Sequence, residues 1–182
     1  MTIIFLISDS GEKQSGIERL ILRDLTERYT VTFVSDEGIT RLGTGYELLV
    51  RKTANLRLID TEECIVLMEQ SAAVPTCALP QKSIIIASSA DEQQLADLAE
   101  SHALVITYGY MPYDTLTCTG CSPDTVMLAL GRSLKAFSGK TIEPLETPAP
   151  LPSYAATDDV MAYTALRLVL DDFDSDDMGQ LM

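Results

Sequence analysis

Ile3-Ile4-Phe5-Leu6-Ile7-Ser8-Asp9-Ser10-Gly11-Glu12-Lys13-Gln14-Ser15-Gly16 is the stretch on which the fold turns. The apolar run Ile3 to Ile7 ends in the polar turn Ser8-Asp9-Ser10-Gly11. An unbroken apolar run bounded by turn residues suits a strand buried on both faces, as in a parallel sheet. From Gly16 the spacing changes. Ile17, Leu20, Ile21 and Leu25 fall on one helical face, with Glu18, Arg19, Arg23, Asp24 and Glu27 on the other. Thr30 to Val34 then alternates and stops at Ser35-Asp36-Glu37-Gly38. Strand, helix and strand in that order open a βαβ unit.

Further strands are expected at Cys64 to Met68, closed by Glu69, at Ser83 to Ala87, and at Ala103 to Thr107, which leads to Tyr108-Gly109. Ser89-Ala90-Asp91-Glu92 has the spacing of a capping box, with Leu95, Leu98 and Ala99 on one helical face behind it. Tyr46 to Val50 reads as a strand, and 51–60 fits helix or strand. Beyond Gly109, residues 115–119 and 125–130, then 134–137 and 141–145, flank turn residues and read as antiparallel hairpins. Pro144, Pro148, Pro150 and Pro152 suggest an extended linker. Thr157 is placed to cap a helix from Asp158 to about Phe173. That helix is apolar nearly all round, so it is either sandwiched within the chain or docks on a partner.

The expected fold class is therefore α/β. A mainly parallel sheet is flanked by helices in a P-loop or Rossmann-like three-layer arrangement, with a small antiparallel element over about 114–146 and a C-terminal helix. One domain is expected over 1–173, followed by an acidic tail, 174–182, with the acids from Asp171 onward in a frayed, solvated end.

The 182 residues hold 27 acidic and 13 basic side chains, a formal net charge of −14. A phosphate backbone or an anionic lipid surface is repelled by such a surface, so nucleic acid and membrane are not expected partners. Apolar runs are far shorter than the ~20 residues of a membrane span, and no basic residue precedes the first one, so no signal peptide is read and a cytoplasmic location is expected. Cys118 and Cys121 form a single CxxC without a second close pair, since Cys64 and Cys77 stand well apart, and no structural metal is expected. His102 is the sole histidine, so the chain alone holds no Ser/His or Cys/His pair matched to a third group.

Ser8 to Ser15 lies between a buried strand and a helix, where a phosphate-binding loop belongs. The segment resembles, without a gap, the Thr-Gly-Thr-Asn-Gly-Lys-Thr-Thr loop of the Mur ligases, the ATP-dependent amide ligases of cell-wall synthesis. Ile65-Val66-Leu67-Met68-Glu69 resembles the family's strand that ends in a magnesium-binding glutamate. Val105-Ile106-Thr107-Tyr108-Gly109 resembles its Val-Ile-Thr-Phe-Gly segment, which likewise precedes a small antiparallel region. Ser153 to Leu170 stands where the family has a helix after that region. The resemblance covers about residues 3 to 170 and implies the fold of the family's central, ATP-binding domain.

The departures from the family pattern bear on function. Asp9 and Glu12 replace the two loop glycines whose backbone N–H groups approach phosphate closely. Gln14 stands where the family's magnesium-holding threonine does. The stretch Gln70 to Lys82 is too short for the family's histidine-containing segment and catalytic lysine. No counterpart of the family's substrate domain or amino-acid domain is present in these residues. The resemblance thus implies a non-catalytic binding or interaction module, with no cofactor. Its partner would be a protein or a second copy, docking through the helix 158–173. The alternative is a nucleotide- or phosphometabolite-binding enzyme with an altered loop, using ATP and magnesium, alone or with a partner protein. Candidate ligand-binding residues are Ser8, Ser10, Gly11, Lys13, Ser15, Gly16, Tyr108 and Gly109. Glu69 would be a metal ligand only with bound nucleotide and magnesium.

Overall fold

The computed structural model describes residues 1–8, 14–101 and 103–172. Asp9 to Lys13, His102, Phe173 and the tail 174–182 lie outside the described residues. The elements run β1 (Thr2–Ile7), α1 (Gly16–Asp24), β2 (Tyr29–Ser35), β3 (Gly38–Leu42), β4 (Tyr46–Thr53), β5 (Glu63–Met68), β6 (Lys82–Ser88), α2 (Glu92–Ala99) and β7 (Leu104–Gly109). They continue through β8 (Leu116–Cys121), β9 (Thr125–Leu130), β10 (Leu134–Lys135), β11 (Thr141–Ile142), β12 (Leu145–Pro150) and α3 (Thr157–Val169).

One ten-stranded sheet has the order β12-β9-β8-β7-β6-β5-β1-β4-β2-β3. The seven strands from β2 to β8 in that order are parallel. β3 closes one end antiparallel, and β9 and β12 close the other. The expected α/β class with a mainly parallel sheet is what the chain adopts. Alternation along the strands builds two cores. Ile4, Leu6, Ile65, Leu67, Ile84, Ile86, Ile106 and Tyr108 face the layer that holds α1 and α3. Ile7, Cys64, Val66, Met68, Ile85 and Ala87 face the opposite layer, with Leu98 of α2.

Four details add to the sequence reading or depart from it. β4, whose place in the sheet the sequence leaves open, inserts between β1 and β2, so the chain must return beneath the start of β2. Gly43 (φ +83°) and Gly45 (φ +122°) make this possible, because a Cβ at either would lie within 2.2 Å of the Tyr29 or Arg28 carbonyl oxygen. The proline-rich segment is an edge strand, β12, and not a linker. Proline lacks the ladder N–H, and an edge strand needs it on one side only. The cap of α2 is Asp91, whose carboxylate accepts the Gln94 N–H at 2.9 Å, and Ser89 is drawn elsewhere.

The fourth is the last helix. Val160, Met161, Ala162, Leu166, Leu168 and Val169 are buried by the sheet and α1 of the same chain, so they are not an open docking face. The helix ends at Val169 in a Schellman motif, with Asp171 at φ 57° and the Asp172 N–H donating to Arg167 O at 3.0 Å. The first acids after the helix are therefore held: Asp172 by Arg28 (2.9 Å) and Arg167, Asp171 by Lys140 (2.9 Å). No helix among the described residues is long and apolar enough to cross a membrane.

Candidate functional site: the crevice between β1 and β5

From β1 the chain passes through α1 to β2 and β4 on one side of the sheet. β5 begins the other side, whose crossovers run over the opposite face. Ligands of open α/β sheets bind at such a switch point, beyond the carboxyl ends of the strands. Here Ser8 and Glu69 leave the two strands side by side. The Glu69 N–H donates to Ile7 O at 2.9 Å, and the buried Ser8 donates its N–H to Thr53 O at 3.2 Å.

α1 begins over this point. Ser15 is its N-cap: Ser15 Oγ accepts the Glu18 N–H at 3.2 Å, and its carbonyl accepts the Arg19 N–H at 3.1 Å. α3 lies against α1, and its first turn reaches the same place. Asp159 Oδ2 accepts the Ala156 N–H at 2.8 Å, and the Ile17 N–H also faces this carboxylate and favours its charged form. One carboxylate thus serves the positive ends of two helices, each equivalent to about half a charge. Gly16 leaves it room, since a Cβ there would lie 2.1 Å from Asp159 Oδ2 and 3.1 Å from Ala155 Cα.

The surroundings are acidic. Glu18 pairs with Lys52 at 2.8 Å, both side chains largely buried. Burial pushes the Glu69 carboxyl above its ordinary range. The Ser15 hydroxyl and Lys52 pull it back, while Asp159 and Glu18 push it further up. One Glu69 oxygen, Oε1, is buried without a hydrogen-bond partner. Burial also raises the Asp159 carboxyl, and Asp158 adds to the effect. Lys52 thus offsets two of these carboxylates, Glu18 and Glu69, while Asp159 adds negative charge beside them. A polyphosphate brought here meets like charge where it needs free N–H donors.

The β6–β7 half of the edge is built differently. Asp114, 2% exposed, accepts from Ser89 Oγ and from the Met111 N–H, both at 2.9 Å. Gly109 lets this carboxylate in, because a Cβ there would lie 2.2 Å from Ser89 Oγ and 2.7 Å from Asp114 Oδ2. Tyr108 is buried, its hydroxyl 3.5 Å from Met68 O, and burial pushes its phenol well up. Tyr110 is exposed and donates to Asp158 Oδ1 at 2.9 Å. Its phenol is pushed up to about 12, by burial first and then by that carboxylate.

Of the residues predicted from sequence, Ser8, Ser15, Gly16 and Glu69 do meet at one point. Gly109 lies two strands away, under the Asp114 turn, whereas the Tyr108 side chain reaches back through the core until its hydroxyl lies 3.5 Å from Met68 O, beside Glu69; the ring is buried and has no open face for a stacked base. Ser10, Gly11 and Lys13 lie outside the described residues. Among the described residues no group of three or more histidine, cysteine or carboxylate side chains is arranged to hold a metal ion. The sequence reading missed Asp159, Lys52, Glu18, Ser89 and Asp114. Asp158 and Asp159 stand at the start of α3 in the sequence, but nothing local says that the second one reaches a different helix. No protein-family model matches the chain, and no curated protein matches it.

Proposed function

We propose that the chain is a non-catalytic relative of the Mur ligase central domain, of P-loop-like ancestry, that works as a binding or interaction module without nucleotide. The observation that carries this reading is the position of Asp159. Its carboxylate sits at the N-terminus of α1, where a nucleotide-binding loop of this kind would place a phosphate. An internal anion in that position supports the sense of Asp9, Glu12 and Gln14: the loop has moved away from phosphate chemistry in charge as well as in shape. The seven parallel strands lie in the order 2-3-1-4-5-6-7, counted along the chain. That differs from the 3-2-1-4-5-6 of dinucleotide-binding domains and disfavours a nicotinamide reading.

The second reading, an enzyme of nucleotides or phosphometabolites with an altered loop, has one observation in its favour: Glu69 keeps a buried oxygen without a partner at the end of β5. Phosphate release from ATP in the presence of magnesium separates the two. The module reading expects no release above the background of a Lys13→Ala control. Release that vanishes in that control would establish the enzyme reading instead.

A further inference from the structure

Six of the thirteen cations of this acidic chain form ion pairs among the described residues: Arg28, Arg41, Arg51, Lys52, Lys140 and Arg167. Arg19 and Arg23 are not among them. They stand four residues apart on the outer face of α1, and no ion pair joins either to a carboxylate among the described residues. Like charges at this spacing repel by a few tenths of a kcal/mol.

The two arginines line a concave groove of about 270 Å³, together with Gln14, Leu22 and Tyr154. Tyr154 belongs to the segment that leads into α3, so the groove runs between α1 and that segment. The Arg23 guanidinium lies 5.0 Å from the centre of the Tyr154 ring, which orients its plane. Arg19 adds a second planar fork, Gln14 an amide donor, and Leu22 an apolar wall. Guanidinium forks match the oxygens of a phosphate or a carboxylate in pairs. The volume lies below the ~300–1,000 Å³ of drug-sized sites, so the occupant is small.

We infer that this groove binds a small organic oxyanion, a phosphate monoester or a carboxylate, with a flat apolar body. The anion sits between Arg19 and Arg23, and the body lies against Leu22 and Tyr154. The inference does not rest on Lys13 or on the α1 N-terminus, which none of its contacts uses; of the 8–16 loop only Gln14 lines the groove. The overall charge does not forbid it. At physiological salt, charges beyond ~8 Å are largely screened, and the two arginines dominate locally.

Phenyl phosphate, benzoate and inorganic phosphate, titrated separately into the full-length protein and followed by calorimetry or amide chemical shifts, test this. Phenyl phosphate is expected to bind with a Kd on the order of 1 mM, and inorganic phosphate roughly tenfold more weakly. Benzoate equal to phenyl phosphate would assign the carboxylate class, and weaker benzoate the phosphate monoester class. Arg19→Gln and Arg23→Gln should each lower phenyl phosphate affinity by about tenfold, since each removes a charged fork. Both side chains sit on the helix surface, so the variants should fold. Tyr154→Leu should weaken phenyl phosphate but not inorganic phosphate, and Lys13→Ala should leave all three unchanged. Absence of binding at about 20 mM of every probe would overturn the inference. So would affinity that survives both arginine variants but is lost in Lys13→Ala.

Discussion

Two buried carboxylate sites lie along the same edge of the sheet, and they are built on opposite terms. Over β6 and β7, Asp114 stands apart from other acids and draws in a hydroxyl and a backbone N–H. Over β1 and β5, Asp159 and Glu18 raise the cost of charging the partly buried Glu69, and Lys52, paired with Glu18, offsets it in part. The first arrangement fixes a loop. The second joins two helices, with the Asp159 carboxylate accepting an N–H at the start of each. Similar groups thus give a peg under a loop in one half and a clasp between two helices in the other. Each half leaves one carboxylate oxygen, Asp114 Oδ1 and Glu69 Oε1, buried without a hydrogen-bond partner, and the difference lies in the acids that press on Glu69.

The largest expected effect is on the peg. Asp114→Ala leaves the Ser89 hydroxyl and the Met111 N–H without their acceptor in the interior. It should destabilise the fold by about 3 kcal/mol, read from urea midpoints at constant m. A loss below 1 kcal/mol would mean that the two halves are not built differently.

Next comes the helix pair. Gly16→Ala forces a Cβ into the Asp159 carboxylate and should cost about 2 kcal/mol by overpacking. Asp159→Ala removes a cap and should cost about 1–2 kcal/mol. Because the added methyl and the removed carboxylate occupy the same space, the double variant should lose less than the sum. Strict additivity would show that Asp159 does not sit against Gly16 in solution.

The smallest effect is in the pH dependence. Burial raises the folded Glu69 pKa above its unfolded value, so the native state holds the proton over a range where the unfolded chain has lost it. Stability from this group therefore falls as pH rises from the ordinary carboxylate range through the raised pKa, and is level above it. Glu69→Gln abolishes that fall. The variant should match the wild type at acidic pH and exceed it in stability at pH 7, as measured by thermal or urea unfolding at several pH values. A variant that is less stable at pH 7 than at acidic pH, relative to the wild type, would reverse the sign of the account.

Much of the fold could be read in the chain because its signals are local. The apolar runs at Ile3 to Ile7, Cys64 to Met68 and Ser83 to Ala87 are strands, and the Ile17, Leu20, Ile21 spacing is a helix. What could not be read depends on tertiary placement. β4 slips between β1 and β2 through two glycines whose need is set by the Arg28 and Tyr29 carbonyls. Prolines that signal an extended linker serve equally well on an edge strand. An apolar helix that offers itself as a docking face finds its cover in α1 and the sheet. For the site, Ser15, Gly16 and Glu69 were legible because strand ends and helix starts have sequence signatures. Asp159 was not, since its role depends on α3 lying beside α1, more than a hundred residues away in sequence.

The most direct test of the central claim is a calorimetric titration of the full-length protein with ATP and magnesium, run beside Lys13→Ala. With Asp159 at the start of α1, and with Asp9, Glu12 and Gln14 in the loop, no binding tighter than about 1 mM is expected for either protein. A micromolar Kd in the wild type that disappears in Lys13→Ala would show that the loop still holds a triphosphate, and would contradict the account.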